Sequence, residues 1–274
     1  MMSDKSLKLL VVTDLDSSLL DEDYGYTGAV EALRCLQDEG CPLVLNSSKT
    51  YAELRELAAD LSRCDAVIAE NGGLVAIRQG ASILPSGEVD RFGFVPIRFG
   101  MARERILELA HTLRKNDGYA FEGFSDWSVD QVIEHTGLDR TSAALAMERE
   151  TSEPILWRGS ENEMDDFKEK LQHLGIRVLR GGRFFHLMGM VDKVQGMQLV
   201  VDRYKVAEPM TDWLVVAVGD SANDKAMLEA ADRAIVIPHA SGPMVHPENG
   251  HTLIANNPGS IGWGQAILQT LKHT

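Results

Sequence analysis

Residues 9–20 have the sequence LLVVTDLDSSLL, in which a short apolar run ends at two aspartates, Asp14 and Asp16. Such a run is typical of a strand that is buried on both faces. Open α/β sheets bind ligands at the carboxyl ends of these strands, and alternate residues point the same way. One carboxylate could then attack phosphorus while the other handles the leaving-group proton. A surface turn would give the same pattern, so a second motif has to decide.

The second motif is LVVAVGDSAND at residues 214–224, again an apolar strand that ends in acids. Two strands buried on both faces suit neighbouring positions in a parallel sheet. Asp14, Asp220 and Asp224 would then converge, and carboxylates that meet repel each other unless a cation binds between them. All-oxygen ligation suits Mg²⁺. The two motifs together predict a magnesium site, although the second alone could be a capped strand-to-helix turn.

Two further segments could bind phosphate. Residues 43–50, LVLNSSKT, predict a strand followed by Ser47 and Ser48 at the start of an amphipathic helix. Hydroxyls and free backbone N–H groups at a helix N-terminus bind phosphate well. Serine is also a common N-cap, so Ser47 could serve the helix instead. Lys193 opens another helical stretch and could supply the fixed cation that a phosphoryl group needs beside aspartates, or could be a solvated surface charge.

In their order along the chain, these motifs resemble those of the haloacid-dehalogenase superfamily of phosphohydrolases. The matching positions are Asp14-x-Asp16, Ser47, Lys193 and Gly219-Asp220-x-x-Asn223-Asp224. The resemblance implies that Asp14 becomes an aspartyl-phosphate and that Asp16 is the general acid and then the base. Ser17-Ser18 replace the Gly-Thr that the family usually has after the second aspartate, so the geometry of that loop stays open.

The resemblance also implies which residues bind the metal and the phosphate. Mg²⁺ would be held by the Asp14 carboxylate, the Asp16 backbone carbonyl and Asp220, with Asp224 in support. The phosphoryl group would be bound by Ser47, Ser48, Lys193 and Asn223.

Strand and helix patterns alternate over the first 80 residues and again after residue 190, which predicts an α/β fold with a doubly wound parallel sheet. We expect a catalytic core at residues 1–84 and 190–274, with an inserted α+β cap domain at residues 85–189. A cap of this kind excludes water and contacts the part of the substrate that is not phosphate. Glu70 and Asn71 form either a hairpin turn or, as in the sugar-phosphate branch of the superfamily, part of the site entrance.

Segments of the predicted cap and of the core carry a narrower resemblance, to the mannosyl-3-phosphoglycerate phosphatase family. It rests on residues 47–50 (SSKT), 149–154 (RETSEP), 157–158 (WR), 180–186 (RGGRFFH) and 258–263 (PGSIGW). Arg183 and its neighbours could clamp a carboxylate in bidentate fashion, and Glu153 or His186 could contact sugar hydroxyls. The residues predicted to bind substrate are Glu70, Asn71, Arg149, Glu153, Arg183 and His186.

Composition limits the possible partners. The net charge of −14 over 274 residues argues against nucleic acid or an anionic membrane as a partner. Three cysteines without Cys-x-x-Cys spacing, and a start with no signal-peptide pattern, predict a cytoplasmic protein with reduced thiols. We therefore expect a small phosphorylated substrate; the oligomeric state stays open.

The motifs predict a Mg²⁺-dependent phosphomonoesterase, and the narrower resemblance implies that it hydrolyses mannosyl-3-phosphoglycerate or its glucosyl counterpart. A phosphatase for another sugar phosphate, or a phosphomutase that returns the phosphoryl group to the sugar, would use the same motifs. A receiver module that only accepts phosphate is a further alternative, but it would need neither Asp16 nor a cap.

Overall fold

The computed structural model describes residues 6–61 and 64–273 of the chain. Its strands, labelled in chain order, are β1 Ser6–Thr13, β2 Leu43–Asn46, β3 Cys64–Ala69, β4 Leu74–Arg78, β5 Phe94–Arg98, β6 Phe121–Gly123, β7 Ser152–Trp157, β8 Ile176–Arg180, β9 Phe185–Gly189, β10 Thr211–Gly219, β11 Arg233–Val236 and β12 Thr252–Ile254. Its α-helices are α1 Val30–Asp38, α2 Tyr51–Asp60, α3 Arg103–Asp117, α4 Val129–Thr136, α5 Arg140–Met147, α6 Glu161–His173, α7 Lys193–Ala207, α8 Lys225–Ala230 and α9 Gly259–Leu271.

The main sheet has the order β12-β11-β10-β1-β2-β3-β4-β5. The strands from β12 to β3 are parallel, whereas β4 and β5 are antiparallel additions at one edge. As predicted, β1 and β10 are direct neighbours, with Leu9 opposite Leu214 and Thr13 opposite Val218. The mostly parallel sheet with helices confirms the predicted fold class.

Helices cover both faces of the main sheet. Consecutive residues of β1 point to opposite faces, so each face has apolar side chains that a helix can bury. Leu9 and Val11 pack in the core on the side of α1, α2 and α9. Leu10 and Val12 pack in the other core, on the side of α7 and α8. All four side chains are at most 1% exposed. Burial on both faces explains why this strand is an uninterrupted apolar run.

A second, smaller sheet has the order β6-β7-β9-β8 and is antiparallel. Helices α3 and α6 pack on one face, where Phe167 and Leu187 are fully buried. A separate apolar cluster around Phe124, Trp127 and Val132 involves α4 and α5. We use the word cap for residues 99–189, which contain this sheet and its helices.

The main sheet extends past residue 84, the end of the first predicted core segment. Strand β5 pairs with β4 in the main sheet, where Leu74 lies opposite Arg98. Residues 85–98 therefore lead into and complete one edge of the main sheet. The prediction missed this strand because Pro96 interrupts its pattern, and proline is tolerated in a strand at a sheet edge.

Within the described parts of the chain, no helix is both long and apolar enough to cross a bilayer.

Candidate active site

The carboxyl ends of β1, β10 and β2 meet at one edge of the main sheet. Asp14 follows β1 directly, Asp220 follows β10, and Ser47 follows β2. The backbone continues the pairing past β1, since Asp14 N donates to Val218 O at 2.8 Å. We call residues 47–50, which follow β2, the serine loop. The strand order β10-β1-β2 thus places Asp14 between Asp220 and the serine loop.

Three carboxylates converge at this edge. One oxygen each of Asp14, Asp220 and Asp224 lies within 4.8 Å of the other two, and all three residues are buried. Lys193 Nζ lies 2.5 Å from Asp14 Oδ1 and 2.7 Å from Asp224 Oδ1. The Lys193 side chain is only 1% exposed. The predicted acids and the predicted lysine therefore form one buried cluster.

The electrostatics of the cluster favour cation binding. Burial raises the pKa of Asp14 well above its usual value; Lys193 opposes this shift, and the charges of Asp224 and Asp220 add to it. Burial and the Asp224 charge likewise raise the pKa of Asp220. Burial acts against the charge of Lys193, but Asp14 and Asp224 raise its pKa above the usual value. The single ammonium pairs with two of the three clustered carboxylates, and the all-oxygen donor set of the three fits a divalent cation such as Mg²⁺.

Lys193 reaches the cluster because it is the first residue of α7. Asp192 is the N-cap of that helix, and its side chain accepts a hydrogen bond from Gln195 N. Asn46 Nδ2 donates to Lys193 O at 2.9 Å and so ties the helix start to the end of β2. The long side chain of Lys193 therefore extends from a fixed backbone position into the acid cluster.

The loop after β2 is positioned by backbone contacts. Ser47 is 1% exposed. Ser47 N donates to Ile68 O at 2.9 Å, and its Oγ accepts from Lys49 N at 3.3 Å. The N-cap of α2 is Thr50, whose side chain accepts from Glu53 N in a capping box. Ser47 is thus not the helix cap that the sequence left open as an alternative.

The other two residues predicted to bind phosphate are half-buried. Ser48 O accepts from Arg149 Nη1 at 3.3 Å, which connects the serine loop to the cap. Asn223 Oδ1 accepts from Ser221 Oγ at 2.6 Å in the turn before α8.

The loop after Asp16 shows how the chain accommodates its unusual serines. Ser17 has a φ of 59°, in the left-handed region that favours glycine. Ser18 is fully buried, and its Oγ has no hydrogen-bond partner within the described residues. The first serine thus adopts a glycine-type conformation, and the second directs a free hydroxyl into the interior.

The turn after β3 connects the main sheet to the cap. The φ values of Glu70 and Asn71 are 51° and 55°, a strained conformation for residues other than glycine. The Glu70 carboxylate accepts from Glu150 N, Thr151 N and Ser152 Oγ at 2.8, 3.0 and 2.6 Å. These bonds give Glu70 a structural contact with the cap. Asn71 is 2% exposed, and its Oδ1 has no partner in the part of the chain that the structure describes.

Arg149 and His186 lie close together in the cap. Arg149 Nη1 donates to Ser152 Oγ at 2.9 Å as well as to Ser48 O. Burial, together with the charge of Arg149, lowers the pKa of His186 to about 3. Arg149 Nε and His186 Nδ1 are buried and make no hydrogen bond to any described residue.

Two other predicted cap residues are engaged elsewhere. Glu153 is 1% exposed; its Oε2 accepts from Arg103 Nε and Nη2, and its Oε1 accepts from Ser125 N. These contacts occupy both carboxylate oxygens of Glu153 inside the cap. Arg183 is exposed, and its Nη2 donates to Thr136 O at the C-terminus of α4 at 2.6 Å. No described contact joins Arg183 to the acid cluster or to the serine loop.

Two residues that the sequence analysis left without a role lie beside the site. His239 Nε2 lies 2.6 Å from Asp220 Oδ2. It follows β11, the strand next to β10, so the rule about strand ends could have found it. Lys49 Nζ lies 3.1 Å from Asp16 Oδ1. Burial acts against the charge of Lys49, but Asp16 and Glu53 raise its pKa above the usual value.

Comparisons with known proteins agree with this geometry. The chain matches the haloacid dehalogenase-like hydrolase family over residues 11–95 and 99–253. It belongs to that family. This haloacid dehalogenase-like hydrolase is 32% identical over 271 residues to a glucosyl-3-phosphoglycerate/mannosyl-3-phosphoglycerate phosphatase of Methanococcoides burtonii, with 97% of this chain and 98% of the relative covered. A relative of the same name from Persephonella marina is 30% identical over 266 residues, covering 96% of this chain and 97% of its own.

Solved structures share the fold of this hydrolase. A haloacid dehalogenase-like hydrolase from Bacteroides thetaiotaomicron superimposes with a TM-score of 0.67 at 16% identity, covering 97% of this chain and 100% of its own. One from B. subtilis gives a TM-score of 0.61 at 17% identity, covering 97% and 99%. The family and the curated relatives make the protein a phosphatase, and they confirm both resemblances found in the sequence.

Proposed function

We propose that this phosphatase is a Mg²⁺-dependent phosphomonoesterase that hydrolyses mannosyl-3-phosphoglycerate or glucosyl-3-phosphoglycerate through an aspartyl-phosphate. The observation that carries the proposal is the buried cluster of Asp14, Asp220 and Asp224, in which Lys193 pairs with Asp14 and Asp224. The names of the two curated relatives support the choice of substrate.

In the proposed reaction, a carboxylate oxygen of Asp14 forms a bond to phosphorus while the bond to the leaving oxygen breaks. Asp16 gives that oxygen its proton. Water then attacks phosphorus, Asp16 takes the proton of the water, and phosphate leaves with Asp14 restored. Lys193 and Ser47 hold the phosphoryl oxygens. Mg²⁺, held by the three buried carboxylates and the Asp16 carbonyl, would act as a Lewis acid toward those oxygens.

The cap would select the part of the substrate that is not phosphate. We assign the carboxylate contact to Arg149 rather than to Arg183, because Arg149 bridges the cap and the serine loop through Ser48. Asn71 and His186 offer further polar atoms that are buried and have no partner among the described residues. Buried polar groups without partners are costly, so a ligand that satisfies them binds more favourably.

This function implies that the chain has two parts, a catalytic core and a cap that contacts the bound substrate. We propose residues 6–98 and 190–273 as the catalytic core and residues 99–189 as the cap, which replaces the predicted boundary at residue 84. The bonds of Glu70 to residues 150–152 would join the two parts near the site. A cytoplasmic location remains a prediction from the sequence.

The test is phosphate release with excess substrate across a panel of phosphate esters. We expect the two glycosyl-3-phosphoglycerates to exceed glucose 6-phosphate at least ~10²-fold in kcat/KM, a discrimination that one bidentate contact and a sugar hydrogen bond can supply. Steady release of free phosphate separates a hydrolase from a mutase and from a receiver module. A ratio near one would refute the substrate and leave a phosphatase for another small ester.

A matched pair of variants tests the nucleophile. Asp14→Asn keeps the shape of the side chain but removes its charge, and we expect a loss of about 10³-fold or more in kcat. Asp38→Asn makes the same change at the exposed end of α1 and serves as the control. If Asp14→Asn keeps more than about a tenth of the wild-type turnover, the covalent mechanism is wrong.

A further inference from the structure

We infer that Lys49 links recognition of the substrate's carboxylate to the release of Asp16: the two residues are paired in the free enzyme, and the arriving carboxylate replaces Asp16 on the Lys49 ammonium. The inference rests on the proposed function, because it requires a substrate that carries an anionic group besides its phosphate.

The Lys49 ammonium is held on several sides. Its Nζ lies 3.1 Å from Asp16 Oδ1 and 4.0 Å from Glu53 Oε1. It also lies 4.7 Å from the centroid of the Tyr24 ring, within cation–π distance. The Lys49 side chain is 16% exposed, whereas that of Asp16 is 49% exposed. The aspartate is thus the more accessible partner and the easier one to displace.

Hydrogen bonds hold the backbone of Lys49 to Ser47 in the same loop and to Glu70 after β3. Lys49 N donates to Ser47 Oγ at 3.3 Å, and Lys49 O accepts from Glu70 N at 2.9 Å. Lys49 therefore connects the serine loop to the turn that contains Glu70. Any change of partner has to come from rotation of the two side chains, not from movement of the loop.

Lys49 and Arg149 both lie at the loop after β2. Arg149 Nη1 contacts the carbonyl of Ser48, the neighbour of Lys49 in the chain. A substrate with both a phosphate and a carboxylate would meet Lys193 at the acid cluster and these two cations at the loop after β2. In a chain with a net charge of −14, such a local group of cations is the feature that can attract a doubly anionic ester.

The ion pair also has a consequence for catalysis. Asp16 can give the leaving oxygen a proton only after its side chain turns away from Lys49 and the freed carboxylate takes up a proton from the solvent. An ester without a second anion leaves the pair intact, whereas a carboxylate competes for the same ammonium and frees Asp16. Binding of the substrate's carboxylate by Lys49 would then raise kcat as well as lower KM. Binding energy raises kcat when it stabilises the transition state more than the bound substrate.

The experiment compares mannosyl-3-phosphoglycerate with its carboxyl methyl ester, which differs only in the anion. Wild type, Lys49→Met, Lys49→Arg and the control Lys168→Met are assayed for kcat and KM on both compounds. Lys168 forms an exposed i,i+3 pair with Asp165 on α6, so its loss removes a lysine–aspartate pair outside the site.

We expect Lys49→Met to lower kcat/KM for the carboxylate substrate by about 10- to 100-fold, in line with the loss of a charge-assisted contact. Turnover of the methyl ester should stay level or rise, because Asp16 is no longer held. Lys49→Arg should keep most of the preference, and Lys168→Met should behave as wild type.

The outcomes separate this inference from the proposed function. If wild type cleaves both compounds equally, the carboxylate contact assigned to Arg149 and the inference fail together, while the proposed hydrolysis itself stands. If wild type prefers the carboxylate and Lys49→Met keeps that preference, only the inference fails. An equal loss on both compounds would also refute it, because Lys49 would then position Asp16 without any exchange of partners.

Discussion

Replacing Glu70 with glutamine changes one oxygen at the junction between the main sheet and the cap. Glu70 is fully buried; its Oε1 accepts from Glu150 N, and its Oε2 accepts from Thr151 N and Ser152 Oγ. An amide has only one oxygen. If the amide nitrogen introduced by Glu70→Gln takes the place of Oε1, it faces the N–H of Glu150; if it takes the place of Oε2, it faces the N–H of Thr151. In either case a backbone N–H loses its acceptor.

The cost follows from these contacts. A buried N–H without an acceptor costs about 1–3 kcal/mol, and the bonds that remain weaken because their acceptor is no longer charged. We therefore expect Glu70→Gln to lower the free energy of unfolding by about 2–4 kcal/mol. Glu150→Gln is the control, since the Glu150 carboxylate is 39% exposed and pairs with the half-exposed Arg98. Exposed pairs of this kind contribute about 0–1 kcal/mol.

Urea unfolding followed by near-UV circular dichroism measures the difference. The same bonds hold Ser152, whose Oγ accepts from Arg149 Nη1 at 2.9 Å, so Glu70→Gln should also reduce kcat/KM for the glycosyl substrate. Unchanged stability together with lost activity would refute this reasoning. It would mean that the Glu70 carboxylate binds substrate, as the sequence suggested, instead of holding the cap.

Three further outcomes follow from the site. Chelation should abolish phosphate release, and Mg²⁺ should restore it better than Ca²⁺, whose longer bonds suit an attacking carboxylate poorly; full activity in chelator would contradict this. His239→Gln should weaken Mg²⁺ binding, measured by calorimetry, by about 10-fold or more, because the ring no longer orients Asp220; unchanged affinity would contradict this. Arg149→Ala should remove most of the preference for a carboxylate-bearing ester, whereas Arg183→Ala should leave it intact and cost stability at the end of α4; the opposite result would restore the role first predicted for Arg183.

The positions of Asp14, Asp220 and Ser47 could be predicted from the sequence because each residue directly follows a strand. Apolar runs at residues 9–13 and 214–218 mark strands buried on both faces, and parallel strands bring their carboxyl ends to one edge. Asp14, Asp220 and Ser47 each follow such a strand directly. Their side chains are short, so the position of the backbone almost fixes the position of the functional group. Lys193 needed only the start of α7 to be in the right place.

The cap was harder because its long side chains choose among partners that are distant in sequence. Arg183 could reach a ligand, but the loop between β8 and β9 carries it to the carbonyl of Thr136, 47 residues away. Glu153 could bind a sugar, but Arg103 occupies it from α3, 50 residues earlier. No local pattern encodes these choices, since each depends on how α3 and α4 pack around the second sheet.

The same contrast explains why Lys49 was overlooked. The SSKT segment carried the resemblance through its residue types, yet its lysine is defined by a partner 33 positions earlier in the chain, Asp16. A pairing of this kind becomes visible only when the loop after β1 and the loop after β2 lie side by side. Core chemistry in this fold is set by where strands end, whereas control of that chemistry depends on which long side chains span the gaps between the loops. Substitutions at strand ends should therefore abolish turnover on every ester, while substitutions of the spanning side chains should change the ranking of substrates.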